Sequence, residues 1–186
     1  MANLIRCKAC GYVTFEGKIK DVCPACGVPA KMFEPYTDTV TEKRRRILRL
    51  HIHPIIVHFP QSFVFTLFVL AVLSFVAPPR INGVLHCTMQ VISSVLPFSL
   101  ILALLTGLID GKNRFRRVTT PFLKKKILFG LSFLFTSILI AAVAFALRLS
   151  SVPVMALFTV LTIIAVGFSI TLGLIGSELM EAKFPG

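Results

Sequence analysis

Four long runs of apolar residues fill most of the chain after position 54. They cover residues 55–76, 84–109, 127–147 and 153–177. Each run is at or above the roughly 20 residues that an α-helix needs to cross about 30 Å of hydrocarbon. A segment inside lipid has to be helical, because lipid offers its backbone N–H and C=O groups no hydrogen-bond partner. The pattern therefore predicts four transmembrane helices, separated by segments rich in proline, serine or basic residues.

The residues before the first run have a different pattern and divide into two parts. Residues 1–36 are polar and contain four of the five cysteines, whereas residues 37–53 form a basic connector. The predicted organisation is a small cysteine domain over 1–36, the connector over 37–53 and a transmembrane domain over 54–180. The connector is either a short helix at the lipid interface or a plain basic stop signal that fixes the topology.

The composition indicates that lipid is the solvent of most of the chain. Of its 186 residues, 55% are hydrophobic and 15% are charged, whereas soluble domains typically have about 25% charged residues. The formal net charge of +12 would by itself suggest nucleic acid as a partner. However, the basic residues flank the apolar runs and do not form a groove-binding stripe. The sequence therefore predicts a lipid bilayer, and no nucleic acid, as a partner.

The distribution of lysine and arginine predicts the orientation in the membrane. The connector has five of these residues, and the first and third loops between helices have one each, Arg80 and Arg148. The second loop has seven: Lys112, Arg114, Arg116, Arg117, Lys124, Lys125 and Lys126. The positive-inside rule then predicts a multi-pass protein of the cytoplasmic (inner) membrane with both termini in the cytoplasm. We expect the three lysines at 124–126 to bind lipid head groups.

The four N-terminal cysteines have the spacing of a metal site. They form two C-x2-C pairs separated by 12 residues, Cys7 with Cys10 and Cys23 with Cys26. Nothing before the first cysteine resembles a signal peptide, so we expect a reducing compartment. There, two such pairs indicate a tetrathiolate metal site rather than two disulfides. Gly11 and Gly27 follow the pairs directly, where a left-handed turn would let backbone N–H groups point at sulfur.

The identity of the metal stays open at this point, because a tetrahedral site of four sulfurs suits both zinc and iron. Four thiolate ligands leave no coordination position for a substrate. Such a site can brace a fold or carry electrons, and it cannot hydrolyse a substrate.

The segments CKACGYV and CPACGVPAKMFE resemble the rubredoxin-type domain, in the short form found at the end of rubrerythrins. The resemblance covers roughly residues 4–36. It implies a small β/loop domain in which the four cysteines hold one iron that changes between Fe3+ and Fe2+, with zinc as the alternative. It also implies a small core packed by Tyr12, Phe15 and Phe33. The predicted fold class is this metal-bound domain followed by an all-α bundle of four transmembrane helices.

The membrane half has a resemblance of its own. The segment HPIIVHFP, at residues 53–60, resembles the opening motif HPxxVHFP of an uncharacterised bacterial and archaeal family of four-helix membrane proteins. The segment TGLIDG, at 106–111, is a second similar stretch. The resemblance spans about residues 51–180, and that family has no settled activity to transfer.

His53, His58 and Asp110 are candidate cofactor-binding residues of the membrane domain. Ionisable residues at membrane depth usually face the bundle interior and mark ion, proton or cofactor sites. The first two helices are antiparallel, so Asp110 returns to the side of the two histidines. A haem b would need His53 with His58, or His58 from two subunits, because His86 starts the second helix at the opposite side, about 27 Å away.

Two alternatives to haem ligation remain open for these residues. His58 and Asp110 could bind a quinone, one hydrogen-bonding a carbonyl and the other exchanging protons. His58 could also be hydrogen-bonded to a neighbour without any cofactor.

In the fourth helix, Ser169, Gly173 and Ser177 form a small-xxx-small face that predicts a close helix contact.

Together these features predict a membrane-anchored electron-transfer protein. It would pass single electrons from a cytoplasmic redox donor, through the iron held by the four cysteines, to haem b or quinone in the membrane. A membrane oxidoreductase or a second copy of the chain is the expected protein partner. One alternative is a non-redox membrane scaffold or transporter with a structural zinc ribbon. Another is an anchor that concentrates a rubredoxin for an unrelated membrane oxidoreductase.

Overall fold

The computed structural model describes residues 4–37, 41–115 and 119–181. The chain divides into one unit over Met1–Arg45 and a second over Arg46–Pro185. The division falls inside the predicted connector, of which residues 38–40 lie outside the described residues. Arg116 and Arg117 of the predicted basic loop lie outside them as well.

The N-terminal unit is built on a small antiparallel sheet. Strands β1 (Leu4–Cys7), β2 (Val13–Phe15) and β3 (Phe33–Pro35) pair in the order β2-β1-β3. Two short 3-10 helices, Glu16–Lys18 and Ala30–Met32, lie between β2 and β3. With strands of three or four residues, the sheet buries little apolar surface, so a bound metal is expected to supply much of the folding free energy.

An ion pair joins β3 to β1, the strand that ends at the first cysteine. Arg6 on β1 lies opposite Glu34 on β3, and its Nη2 and Nε atoms donate to Oε1 of Glu34 at 2.6 and 3.2 Å. The Arg6 guanidinium also lies 5.4 Å from the centre of the Tyr36 ring. The hydrogen bond from Arg6 lowers the pKa of the Glu34 carboxyl below its ordinary value.

The described chain after residue 41 is mostly helical, as predicted. The helices are α1 (Glu42–Arg49), α2 (Ile52–Ile56), α3 (His58–Ser74), α4 (Pro79–Phe115), α5 (Pro121–Ala146) and α6 (Val152–Glu181). Four stretches of the described chain are long and apolar enough to cross a membrane, namely Arg46–Ser74, Pro79–Phe115, Pro121–Ala146 and Val152–Glu178. The prediction of four membrane helices is confirmed.

The first membrane segment is interrupted twice, where the sequence predicts one run. His51 has a φ of 47°, in the left-handed region, and separates α1 from α2. A second break at Val57 separates α2 from α3. The break places Pro60 in the first turn of α3, where a residue without an N–H removes no helical hydrogen bond.

Two helix ends differ from the predicted loop boundaries. Helix α4 continues to Phe115, and Asp110 and Arg114 pair one turn apart near its end, with Oδ2 and Nε at 3.4 Å. Helix α5 begins at Pro121 because the hydroxyl of Thr120 accepts from the Leu123 N–H at 3.4 Å. The lysines at 124–126 therefore lie within α5, and the prediction that they belong to a loop is wrong.

Several buried hydroxyls of the helices are hydrogen-bonded within their own helix. The hydroxyls of Ser99, Thr136, Ser137 and Thr162 donate to carbonyls three or four residues earlier in their own helices. Gln90 of α4 donates instead across the bundle, from Nε2 to the carbonyl of Ala144 in α5 at 2.8 Å. Many large apolar side chains are exposed on the outer faces of the helices, as expected of surfaces that meet lipid.

Candidate functional site

The four cysteines of the N-terminal unit converge on one point. Their Sγ atoms all lie within 4.8 Å of one another. The Sγ atoms of Cys7 and Cys26 are 3.8 Å apart, as are those of Cys10 and Cys23. A tetrahedron whose centre lies about 2.3 Å from each sulfur has edges of about 3.8 Å. The donor set and its spacing therefore fit a single tetrahedral metal ion.

Each C-x2-C pair forms the same kind of turn. The N–H of Gly11 donates to the Cys7 carbonyl, and the N–H of Gly27 donates to the Cys23 carbonyl, both at 2.9 Å. The two glycines have φ values of 75° and 77°, as their positions after the cysteines predict. The glycine N–H groups thus close the turns on carbonyl oxygen.

Other backbone amides of the second turn do bind sulfur. Burial raises the pKa of the Cys23 thiol, but hydrogen bonds from the amides of Ala25 and Cys26 outweigh it and bring the pKa to about 7. The amide of Val28, just after the left-handed glycine, lowers the pKa of Cys26, but Cys10 and the other sulfurs raise it to about 12. Adjacent thiolates repel one another, so a cation at the centre of the set would stabilise their charged forms.

The two halves of each pair differ in exposure. Cys7 and Cys23 are each 1% exposed, whereas Cys10 and Cys26 are exposed. The buried sulfurs are fixed by the turns and the sheet. The other two lie at the surface of the domain, where a metal held by the cluster would have one accessible side.

Comparison with known proteins agrees with this geometry. Residues 6–34 match the family described as the rubrerythrin, rubredoxin-like domain. No curated protein and no solved structure matches the chain significantly. The N-terminal domain is therefore rubredoxin-like. The resemblance over the membrane half stays a prediction.

Within the N-terminal domain, Phe15 and Phe33 are half-buried, but Tyr12 is exposed and does not pack the core.

The membrane unit contains a cavity of about 430 Å³ between its helices. All three candidate residues of the membrane half, His53, His58 and Asp110, line it. His86, at the start of α4, does not line this cavity. The polar residues that the sequence places at one end of the bundle are thus brought together around one space.

His53 is held by a directed chain of hydrogen bonds. Its Nδ1 lies 3.3 Å from the Thr106 hydroxyl, which donates its own proton to the Leu102 carbonyl at 2.8 Å. That hydroxyl must accept, so Nδ1 carries the ring proton and Nε2 is an acceptor. Nε2 lies 3.3 Å from Nζ of Lys126, which donates to it. Both ring nitrogens thus have a hydrogen-bond partner in this arrangement, and the ligation of a haem b by His53 with His58 stays a prediction.

The other two candidate residues differ in their partners. Asp110 is paired with Arg114. Among the described residues, nothing hydrogen-bonds the ring of His58. The small residues of α6, Ser169, Gly173 and Ser177, line the same cavity, and their predicted close helix contact, within the bundle or between subunits, stays a prediction.

The sequence analysis did not single out two residues that could bind a ligand in this cavity. Lys126 was expected at lipid head groups, yet it lines the cavity with its ammonium beside His53. Ser169 is 1% exposed, and its hydroxyl has no hydrogen-bond partner within the described part of the chain. The helical spacing offers a signal for Lys126, because it lies three residues after Leu123 and four before Gly130, which are both buried.

Proposed function

We propose that this protein is a membrane-anchored electron carrier, or a subunit of a membrane oxidoreductase. It accepts single electrons from a cytoplasmic redox donor at the four-cysteine site and passes them to a haem b or a quinone in the membrane. The observation that carries the proposal is the tetrahedral spacing of four sulfurs in a rubredoxin-like domain. Iron bound there would supply a ferric–ferrous couple that stores one electron.

The arrangement of the cysteines supports a carrier rather than a catalyst. With four thiolate ligands, the metal has no open position at which a substrate could bind. The buried Cys7 and Cys23 hold the site rigidly, so a change of valence would require little rearrangement of the chain. The exposed Cys10 and Cys26 would let a redox partner approach the metal to within van der Waals contact of a ligand atom.

The proposed location is the cytoplasmic membrane, with both termini in the cytoplasm. Four helices suited to crossing a membrane support the embedding, and an even number of spans returns the C-terminus to the side of the N-terminus. The concentration of lysine and arginine in the connector and the second loop supports the cytoplasmic side. A tether to the membrane raises the effective concentration of the carrier at a membrane acceptor.

The experiment that tests this function follows the valence of the metal in the full chain. The protein is purified with its native metal, reduced, freed of reductant and placed in liposomes with decylubiquinone. We expect the ferric absorption to return in these liposomes and to stay bleached in anaerobic liposomes without an acceptor. Bleached absorption in both, in a protein that also lacks a haem Soret band, would contradict the proposal. A colourless zinc protein would favour the scaffold with a structural zinc ribbon.

A further inference from the structure

The cavity of the membrane unit has the character of a ligand site. Its volume of about 430 Å³ lies within the range of small-molecule pockets, roughly 300–1,000 Å³. Most of its lining is aliphatic or glycine, with a few polar side chains that converge on it. A ligand that fits must therefore be largely apolar and must carry a small number of polar atoms.

Two polar groups of the cavity are hydrogen-bond donors with capacity to spare. Lys126 has three ammonium protons, and among the described residues His53 is its hydrogen-bond partner and takes one of them. The hydroxyl of Ser169 is buried against the same cavity without any partner in the described chain. The carboxylate of Asp110 is paired with Arg114. Lys126 and Ser169 are therefore donors that an oxygen acceptor on a ligand would satisfy.

The lysine makes this demand strong. An ammonium at membrane depth is costly unless a partner stabilises it, and the hydrogen bond to His53 uses one of its three protons. A carbonyl oxygen that accepts from Lys126 would satisfy a second ammonium proton. A ring with two carbonyls on opposite sides offers one to the lysine and another to a second donor, such as Ser169.

Haem fits this cavity less well than a quinone. Both nitrogens of His53 are committed to hydrogen bonds, so within one subunit His58 is the histidine of the described lining that remains for an iron. Two glycines of α6, Gly173 and Gly176, also line the cavity. Gly173 gives the wall of the cavity no side chain of its own. A Cβ added there would lie 3.5 Å from Nε2 of Gln61.

We propose that this cavity binds the head group of a membrane quinone, with Lys126 donating a hydrogen bond to one of its carbonyl oxygens. The assignment rests on the proposed function, since it chooses the quinone among the two acceptors that the function allows. His53 is a positioning residue in it: its Nε2 holds the ammonium of Lys126 in place, and its Nδ1 is anchored on Thr106.

The test measures binding of decylubiquinone to the full chain in detergent by equilibrium dialysis. Replacing Lys126 by methionine removes a charged donor, and we expect the dissociation constant to rise about 10- to 100-fold. The matched control is Lys125→Met, one residue earlier on an exposed position of α5, which should bind within about twofold of the wild type. Equal binding by the two variants would overturn the assignment.

A second pair of variants keeps the test valid if Lys126→Met does not fold. Gly173→Leu fills the cavity, whereas Gly167→Leu adds the same side chain on the same helix at a position with open space around it. Binding should be lost in the first and kept in the second. If neither variant loses quinone binding, the proposal is overturned. A Soret band that depends on His58, in a protein that binds no quinone, would also overturn it.

The same preparations separate this inference from the proposed function. Metal content and bleaching by dithionite report on the four-cysteine site and do not depend on Lys126. A redox-active iron with quinone binding unaffected by Lys126→Met would remove the assignment of the cavity and leave the carrier in place. A zinc protein that binds quinone through Lys126 would support the assignment of the cavity and contradict the electron-carrier function.

Discussion

The imidazole of His53 packs directly against Gly107 of α4. A Cβ added to Gly107 would stand 2.9 Å from Cε1 of the ring, closer than Cβ atoms come to their neighbours. The ring is fixed there because its two nitrogens are bound by Thr106 and Lys126. The absence of a side chain at Gly107 thus lets α2 lie close to α4, at the edge of the cavity.

Substituting Gly107 by alanine should therefore destabilise the membrane unit. The ring of His53 has to shift and lose at least one of its hydrogen bonds, which we expect to cost about 1–3 kcal/mol. Gly83→Ala is the control, because Gly83 lies in the same helix with no atom near its Cβ position. Thermal unfolding in detergent, followed by circular dichroism, measures the difference. Equal stability of the two variants would contradict the packing described for His53.

The metal content should depend on each of the four cysteines of the cluster and not on the fifth. Cys10→Ser removes one of four ligands, so we expect the purified variant to contain almost no metal. Cys87→Ser is the matched control, since Cys87 lies on α4 and is not one of the four clustered cysteines. It should keep the wild-type metal content. Atomic emission spectrometry distinguishes the two, and a full complement of metal in Cys10→Ser would refute the four-cysteine site.

The left-handed glycines of the metal turns should be sensitive to a single methyl group. Gly27 has a φ of 77°, a conformation that costs about 1–2 kcal/mol for a residue with a Cβ. We expect Gly27→Ala to speed the release of metal to a chelator about 5- to 30-fold. Gly17→Ala adds the same methyl group in open space at a position without positive φ. If both variants release metal at the same rate, the turn geometry does not support the site.

The ion pair of Arg6 with Glu34 predicts a pH dependence. Its hydrogen bond lowers the pKa of Glu34 in the folded chain, so the pair stabilises the domain above the unfolded pKa of about 4.3. The contribution is lost as pH falls through the folded pKa. Wild type and Glu34→Gln should therefore melt at different temperatures at pH 7 and at converging temperatures as pH falls below about 4. A difference that stays constant down to about pH 3 would show that the pair adds nothing.

The sequence predicts the four membrane helices and the metal cluster well, because each depends on a local pattern. A run of apolar residues long enough to span lipid can only be helical, and the spacing of the cysteines determines their convergence. The positions of Gly11 and Gly27 after the pairs predict the left-handed turns for the same reason. None of these features requires knowledge of how distant segments pack.

Helix ends and the cavity could not be predicted in this way. The start of α5 depends on the hydroxyl of Thr120, and α4 continues to Phe115, past the pair of Asp110 with Arg114. The role of Lys126 depends on which of three adjacent lysines faces the bundle, and that follows only from the buried face of α5. The hydrogen bonds of the two His53 ring nitrogens depend on partners 53 and 73 residues away in sequence.

The decisive measurement is the identity and valence of the metal in protein purified from cells without added metal. We predict about one iron per chain and a visible absorption that dithionite bleaches and air restores. Zinc in place of iron, with a colourless protein, would contradict the electron-carrier function.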